Sequence, residues 1–197
     1  MWIRNSLGLA SDVFSETAAK CCDSILEASI LVTECLKHGG KILLCGNGGS
    51  AADAQHIAAE MTVKMKRVRS PLAAIALTTN SSLLTAQAND LGFETVFSRQ
   101  VQSLGSSGDV LIAISTSGKS PNIVEAVRVA KELSIAVVGL TGFDGGDLAP
   151  LCDVAIIVPS RDVPRIQEVH IAIGHILCEF AETSIFGGNH PDSTIGW

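Results

Sequence analysis

Basic residues are scarce. Fourteen Lys and Arg stand against twenty Asp and Glu, a net charge of −6. A nucleic-acid surface relies on clustered cations that neutralise phosphates, so this balance argues against one. Any anion must instead be bound by local geometry. Proline is rare, with 6 residues in 197, and no stretch is of low complexity, which excludes collagen-like and disordered chains. The six cysteines, at positions 21, 22, 35, 45, 152 and 178, include no CxxC pair. Neither a disulfide framework nor a zinc-finger spacing is present, and a reducing compartment is the expectation. No apolar run approaches the roughly 18 residues of a membrane helix. The opening MWIRNSLGLASD is cut by Asn5 and Asp12 before a signal-peptide core develops. A soluble, cytoplasmic protein with no nucleic-acid and no membrane partner is expected.

What is present is 47% hydrophobic residues, 17% charged residues and 18 Gly, the profile of one compact domain. From Val13 to Lys37 apolar positions recur at three- and four-residue intervals, among them Phe14, Cys21, Ile25, Val32 and Leu36, which predicts a helix closed by Gly39-Gly40. Its stripe is wide, so part of it is expected to pack on another subunit. After Gly40 come five short continuous apolar runs: KILLC at 41–45, LAAIAL at 72–77, VLIAIS at 110–115, IAVVGL at 135–140 and VAIIV at 154–158. Continuous rather than alternating runs suit strands buried on both faces, and enough chain separates most of them for helices. The predicted helices span about 50–65, 81–88, 95–104, 121–133 and 164–183, with Ser120 as N-cap and Pro121 at the first helical position. The fold class that follows is α/β: a three-layer, doubly wound sandwich with a five-stranded parallel sheet and an N-terminal helix used in oligomerisation. The expected organisation is a helical segment over 1–40, one domain over 41–186 and a frayed tail over 187–197.

In such a sheet ligands bind at the carboxyl ends of the strands. Two loops there stand out. Gly46-Asn47-Gly48-Gly49-Ser50 lies between a strand and a helix; glycines permit close backbone approach, and a helix N-terminus offers free N–H groups to an anion. Alone it is weakly specific, since a tight strand-to-helix turn has the same composition. Ser115-Thr116-Ser117-Gly118-Lys119-Ser120 forms a donor-rich cup suited to phosphate, with more hydroxyls than capping needs. It is not a Walker A loop, because Ala113 stands where that motif needs Gly. His56 and Glu60, four residues apart, share one helix face and suit proton transfer or metal binding, although such a pair is commonly a surface contact. The last helix carries Gln167, Glu168, His170 and His175. His175, within IAIGHILCEF, is a polar group on a largely apolar helix and requires a partner or a task. His38 and His190 read as solvated, and the cysteines as small apolar core residues.

CGNGGSAADAQHIAAE at 45–60, AISTSGKSPNI at 113–123 and RIQEVHIAIGHILCE at 165–179 together resemble the bacterial phosphoheptose isomerases, members of the sugar isomerase (SIS) fold family. The resemblance spans nearly the whole chain in order and spacing. It implies conversion of sedoheptulose 7-phosphate to D-glycero-D-manno-heptose 7-phosphate, the first step toward ADP-heptose for lipopolysaccharide, in a homotetramer with a central helix bundle. It implies substrate contacts at Asn47, Gly48, Gly49, Ser50, Glu60, Asn89, Asp90, Ser115, Thr116, Ser117, Ser120 and Gln167, with Glu60 and His175 catalytic. It also implies one zinc ion per subunit at His56, Glu60, Gln167 and His175. On one continuous helix, however, Gln167 and His175 are about 12 Å apart in rise, awkward for two ligands of one ion. Lys64 and Pro164 stand where some members have Arg and Asp, so no role is carried over there. Two rivals share these loops: a non-catalytic SIS protein that binds the replication initiator DnaA, and a sugar-phosphate sensor. Both fit less well, because the acidic residue at Glu60 and the imidazole at His175 are intact.

Overall fold

The computed structural model describes residues 1–187; the expected tail beyond Gly187, His190 included, lies outside the described residues. Helix α1 runs Trp2–Lys37 and so begins eleven residues before the apolar stripe. Nothing in residues 2–12 breaks a helix, and Arg165 Nη1 donates to Ser6 O at 2.9 Å and to Ser6 Oγ at 3.0 Å, tying this first part down. Its C-terminus closes as expected: Gly39 takes φ +81°, its N–H bonds Leu36 O at 3.2 Å, and the Gly40 N–H bonds Cys35 O at 2.9 Å.

Strand β1 (Ile42–Gly46) leads into α2 (Gly49–Thr62), then β2 (Ala74–Ala76), α3 (Ser81–Leu91) and α4 (Ser98–Leu104). β3 (Val110–Ile114), α5 (Pro121–Glu132), β4 (Ala136–Thr141), β5 (Val154–Ile157) and α6 (Val163–Phe186) complete the described chain. The five strands are parallel in the order β2-β1-β3-β4-β5. Strand β2 is shorter than the apolar run that predicts it, because it is an edge strand paired only with β1, through Ile42↔Ala74 to Leu44↔Ala76. The helix expected over 95–104 is instead a 3₁₀ turn, Phe93–Thr95, followed by α4.

Alternate strand residues serve two cores. Ile42, Leu44, Ile112 and Leu140 pack beneath α1, α2 and α6, whereas Leu43, Cys45, Leu111 and Val137 pack beneath α4 and α5. This is the three-layer sandwich, and burial on both faces is why the strands read as unbroken apolar runs. Helix α6 is long and apolar enough by composition to cross a membrane, but its stripe of Ile166, Val169, Ile173, Leu177 and Ala181 is buried in the first core. Cys21, Cys35, Cys45 and Cys178 are core residues as expected; Cys22 is exposed on α1.

The buried histidine of α6 is His170. Its Nε2 donates to Thr141 O at 3.0 Å, while Nδ1 has no partner. Burial pushes its pKa down to about 4, against the hydrogen bond to Thr141. The unfolded chain then binds a proton below the usual histidine range that the folded chain refuses, so folding stability falls as pH drops from about 6.5 toward 4. The full effect is on the order of 3 kcal/mol. Thermal denaturation across this window should show a shallower pH slope for His170→Gln than for the unaltered chain; equal slopes would remove His170 as the cause.

Candidate active site

The strand order reverses between β1 and β3, since β1 connects outward to β2 on one side while β3 continues to β4 on the other. The two loops singled out in the sequence follow β1 and β3 at this reversal, outside the carboxyl ends of both strands, where such sheets bind ligands. They are joined directly. The side-chain amides of Asn47 and Asn122 exchange two hydrogen bonds, each 2.9 Å. Asn122, buried in the first turn of α5, is absent from the residues expected at the site; an amide at the second position of a helix behind a hydroxyl loop is its only sequence signal.

In the first loop Gly48 takes φ +56°, and a Cβ on Gly49 would sit 2.6 Å from Gln167 Nε2. Glycine at 49 thus lets the Gln167 amide lie against the start of α2. In the second loop Ser120 occupies the N-cap of α5 with Pro121 behind it, as expected, but its hydroxyl does not cap. It meets Ser115 Oγ at 3.0 Å instead. The Lys119 N–H donates to Ser117 Oγ at 3.2 Å, and Thr116 is half-buried. Pro121 has no N–H, and those of Ile123 and Val124 donate to Ser120 O at 3.0 Å each, so the hydroxyls are the main donors grouped at the positive end of α5.

A third loop, not anticipated from the sequence, props this cup from behind. Gly142 N–H bonds Thr116 O at 2.9 Å, Leu148 N–H bonds Gly118 O at 3.0 Å, and Gly118 packs against the backbone of Gly145 and Gly146. The run of Gly142, Gly145 and Gly146 after β4 was the available signal.

Helices α2 and α6 lie side by side, with Gln167 at Gly49 and Gly174 against Ile57. This register brings His56 to His175: their Nε2 atoms are 2.9 Å apart, so one donates and the other accepts, and the rings meet edge to face at 67°. His175 is therefore half-exposed and partnered rather than a core group. Glu60 Oε1 stands 3.7 Å from His56 Nε2. Asp53, one turn before His56 on the same face, has a buried Oδ2 without a partner, and burial raises its carboxyl against the pull of His56.

Ser50 is buried at the start of α2, and Gly46 passes so close that a Cβ there would meet its backbone at 2.5 Å. Asn89 and Asp90 are not drawn into this group. Both are exposed in the last turn of α3, where Asn89 Nδ2 donates to Asp90 Oδ1 at 2.7 Å.

The donor set partly suits a metal. Two imidazole nitrogens converge as ligands of one ion do, with a carboxylate beside them. Among the described residues, however, no three His, Cys, Asp or Glu close into a metal-holding group. Helix α6 is continuous from Val163, so Gln167 is held about two turns from His175, over Gly49. Chemically, the described residues offer a cup of hydroxyls at the start of α5 and, where α2 meets α6, a histidine pair with a carboxylate.

Residues 7–142 match the model of the SIS domain. The chain is 59% identical over 158 residues to the phosphoheptose isomerase of Campylobacter jejuni serotype O:6, covering 80% of this chain and 85% of that protein. It is 50% identical over 179 residues to the phosphoheptose isomerase of Rhodospirillum rubrum, covering 87% and 95%. Its fold superposes on the phosphoheptose isomerase of Neisseria gonorrhoeae with a TM-score of 0.87 at 46% identity, over 92% of this chain and 97% of that one. With the two loops at the β1/β3 reversal and the His–His–Glu group between α2 and α6, these likenesses place the chain in the SIS-domain family, among the phosphoheptose isomerases.

Proposed function

We propose that the protein isomerises a ketose phosphate to an aldose phosphate, taking sedoheptulose 7-phosphate to D-glycero-D-manno-heptose 7-phosphate. The meeting of His56 and His175 beside Glu60 is the observation that carries this reading. The phosphate sits on Ser115, Thr116, Ser117 and Ser120 and the N-terminus of α5, which anchors the sugar and orients its carbonyl end. Glu60 removes a proton from C1, the electron pair shifts toward the carbonyl and a cis-enediol forms. Glu60 then returns the proton to C2, while His175 passes a proton from the C1 hydroxyl to the oxygen on C2, leaving an aldehyde at C1 and a hydroxyl at C2. Asn47, Gly48, Gly49 and Gln167 bind the sugar between these two ends, and Asn89 and Asp90 are further candidate contacts. One zinc ion per subunit, held by His56 and His175 with Glu60 adjacent, would polarise the carbonyl when bound.

The working unit is a homotetramer, on the ground that Trp2, Ile3, Leu7 and Leu9 of α1 are exposed at 80%, 68%, 68% and 57%. The site of action is the cytoplasm and the product feeds ADP-heptose synthesis for lipopolysaccharide. The deciding experiment is NMR of the purified protein with sedoheptulose 7-phosphate, where anomeric aldose signals are expected and their loss on chelation, with recovery on added zinc, supports the metal. No aldose from a folded, correctly assembled protein, with zinc or without, would overturn the isomerase reading.

A further inference from the structure

Residues 63–73, between α2 and β2, contribute nothing to the crevice, yet they carry one of the most heavily bonded charged groups in the molecule. Arg69 Nε donates to Glu182 Oε2 at 2.9 Å, and the two side chains are 2% and 3% exposed. The rest of the guanidinium turns to the end of α2: Nη2 donates to Glu60 O at 2.9 Å and Nη1 to Met61 O at 2.6 Å. Glu182 in turn accepts the N–H groups of Met65, Lys66 and Arg67 at 3.2, 3.1 and 2.9 Å.

Glu60 lies in the last turn of its helix, where carbonyls lose their intrahelical partners and the backbone frays. Helix α2 has no basic residue in that turn and is followed by Val63 rather than a glycine cap. Arg69 bonds the carbonyl of Glu60 itself and shares that of Met61 with the Leu72 N–H. Its counter-ion Glu182 sits on α6, seven residues beyond His175, which is two turns of the same helix. The pair thus fastens the carboxylate-bearing end of α2 to the helix that carries the imidazole.

We infer that Arg69 and Glu182 are positioning residues that hold the last turn of α2 so that Glu60 stands at a set distance from His175. This rests on the reading of Glu60 as the base. Arg69→Lys keeps the positive charge beside Glu182, but one ammonium cannot span Glu182, Glu60 O and Met61 O as the planar fork does. A displacement near 1 Å costs about 100-fold in rate, so Arg69→Lys should lower kcat by about 10- to 100-fold with KM within about 3-fold of the unaltered chain. The assay is run where circular dichroism and light scattering show the native fold and assembly.

A role confined to stability predicts unchanged kcat per folded molecule. In a Glu60→Gln background, adding Arg69→Lys should leave the residual rate within about 2-fold, because nothing remains to be positioned. An unchanged kcat in the single variant, or an equal further loss in the double variant, overturns the inference. Should Arg69→Lys fail to fold, Glu182→Gln, which retains an acceptor for Arg69, carries the same expectation and the same refutation. Wild-type turnover in Glu60→Gln alone would overturn the base assignment instead, so the two failures are distinguishable.

Discussion

Glu60→Gln should lower kcat for aldose formation by about 10²- to 10⁴-fold, the range by which a positioned general base accelerates proton transfer. The amide keeps the size of the carboxylate and its capacity to hydrogen-bond, but cannot take a proton from carbon. KM should stay within about 3-fold, because the hydroxyl cup before α5 is untouched and loss confined to kcat marks an interaction made in the transition state. The geometry supports this division of labour. Glu60 stands 3.7 Å from His56, and His56 is 2.9 Å from His175, so a carboxylate and an imidazole face one space. Turnover in Glu60→Gln within about 3-fold of the unaltered chain would remove Glu60 from the proton path and direct attention to Asp53, the half-buried carboxyl two turns earlier on the same face.

Gly118→Ala should damage the phosphate cup as severely as any single methyl group can. A Cβ at this position would lie 2.0 Å from Gly145 O and 2.5 Å from Gly145 C, at a backbone φ of +66°. Both atoms belong to the backbone, so no rotamer change relieves the clash and one of the two loops must move. Stability should fall by about 2–4 kcal/mol, combining left-handed strain with overpacking. KM should rise about tenfold or more, because the hydroxyls of Ser117 and Ser120 at the start of α5 move with the loop. Gly48→Ala is the comparison: a Cβ there meets nothing within 4 Å, so only the backbone strain of a side chain at φ +56°, ψ −119° remains, about 1–3 kcal/mol. Chemical denaturation of both variants, with substrate titration of Gly118→Ala, tests the pair. Equal stability losses would show that the Gly118–Gly145 packing does not constrain the loop.

The strands and the two ligand loops were legible in the sequence because their signals are local. A parallel strand covered on both faces must be apolar at every position, and β1, β3 and β4 are buried almost throughout, which is why KILLC, VLIAIS and IAVVGL stand out. Glycines and hydroxyls following such runs mark the carboxyl ends of the strands, where this class of sheet binds ligands. The pairing of His56 with Glu60 was equally readable, since four residues along a helix is one face.

Contacts that depend on the register between distant elements were not readable. His170 and His175 lie on one apolar helix, five residues and about 140° apart; only the packing of α6 on the sheet and on α2 decided that the first is the buried histidine bonded to Thr141 and the second the partner of His56. The amide exchange of Asn47 with Asn122 spans 75 residues, and the Arg69–Glu182 clamp spans 113. By itself, then, the sequence determined which segments become buried strands, where the loops with chemistry fall and which family the chain resembles, because burial and turn chemistry act over a few neighbouring residues. The tertiary structure alone decided which polar groups meet, since a hydrogen bond needs its partners placed within a few tenths of an ångström, and that placement is set by the docking of whole helices.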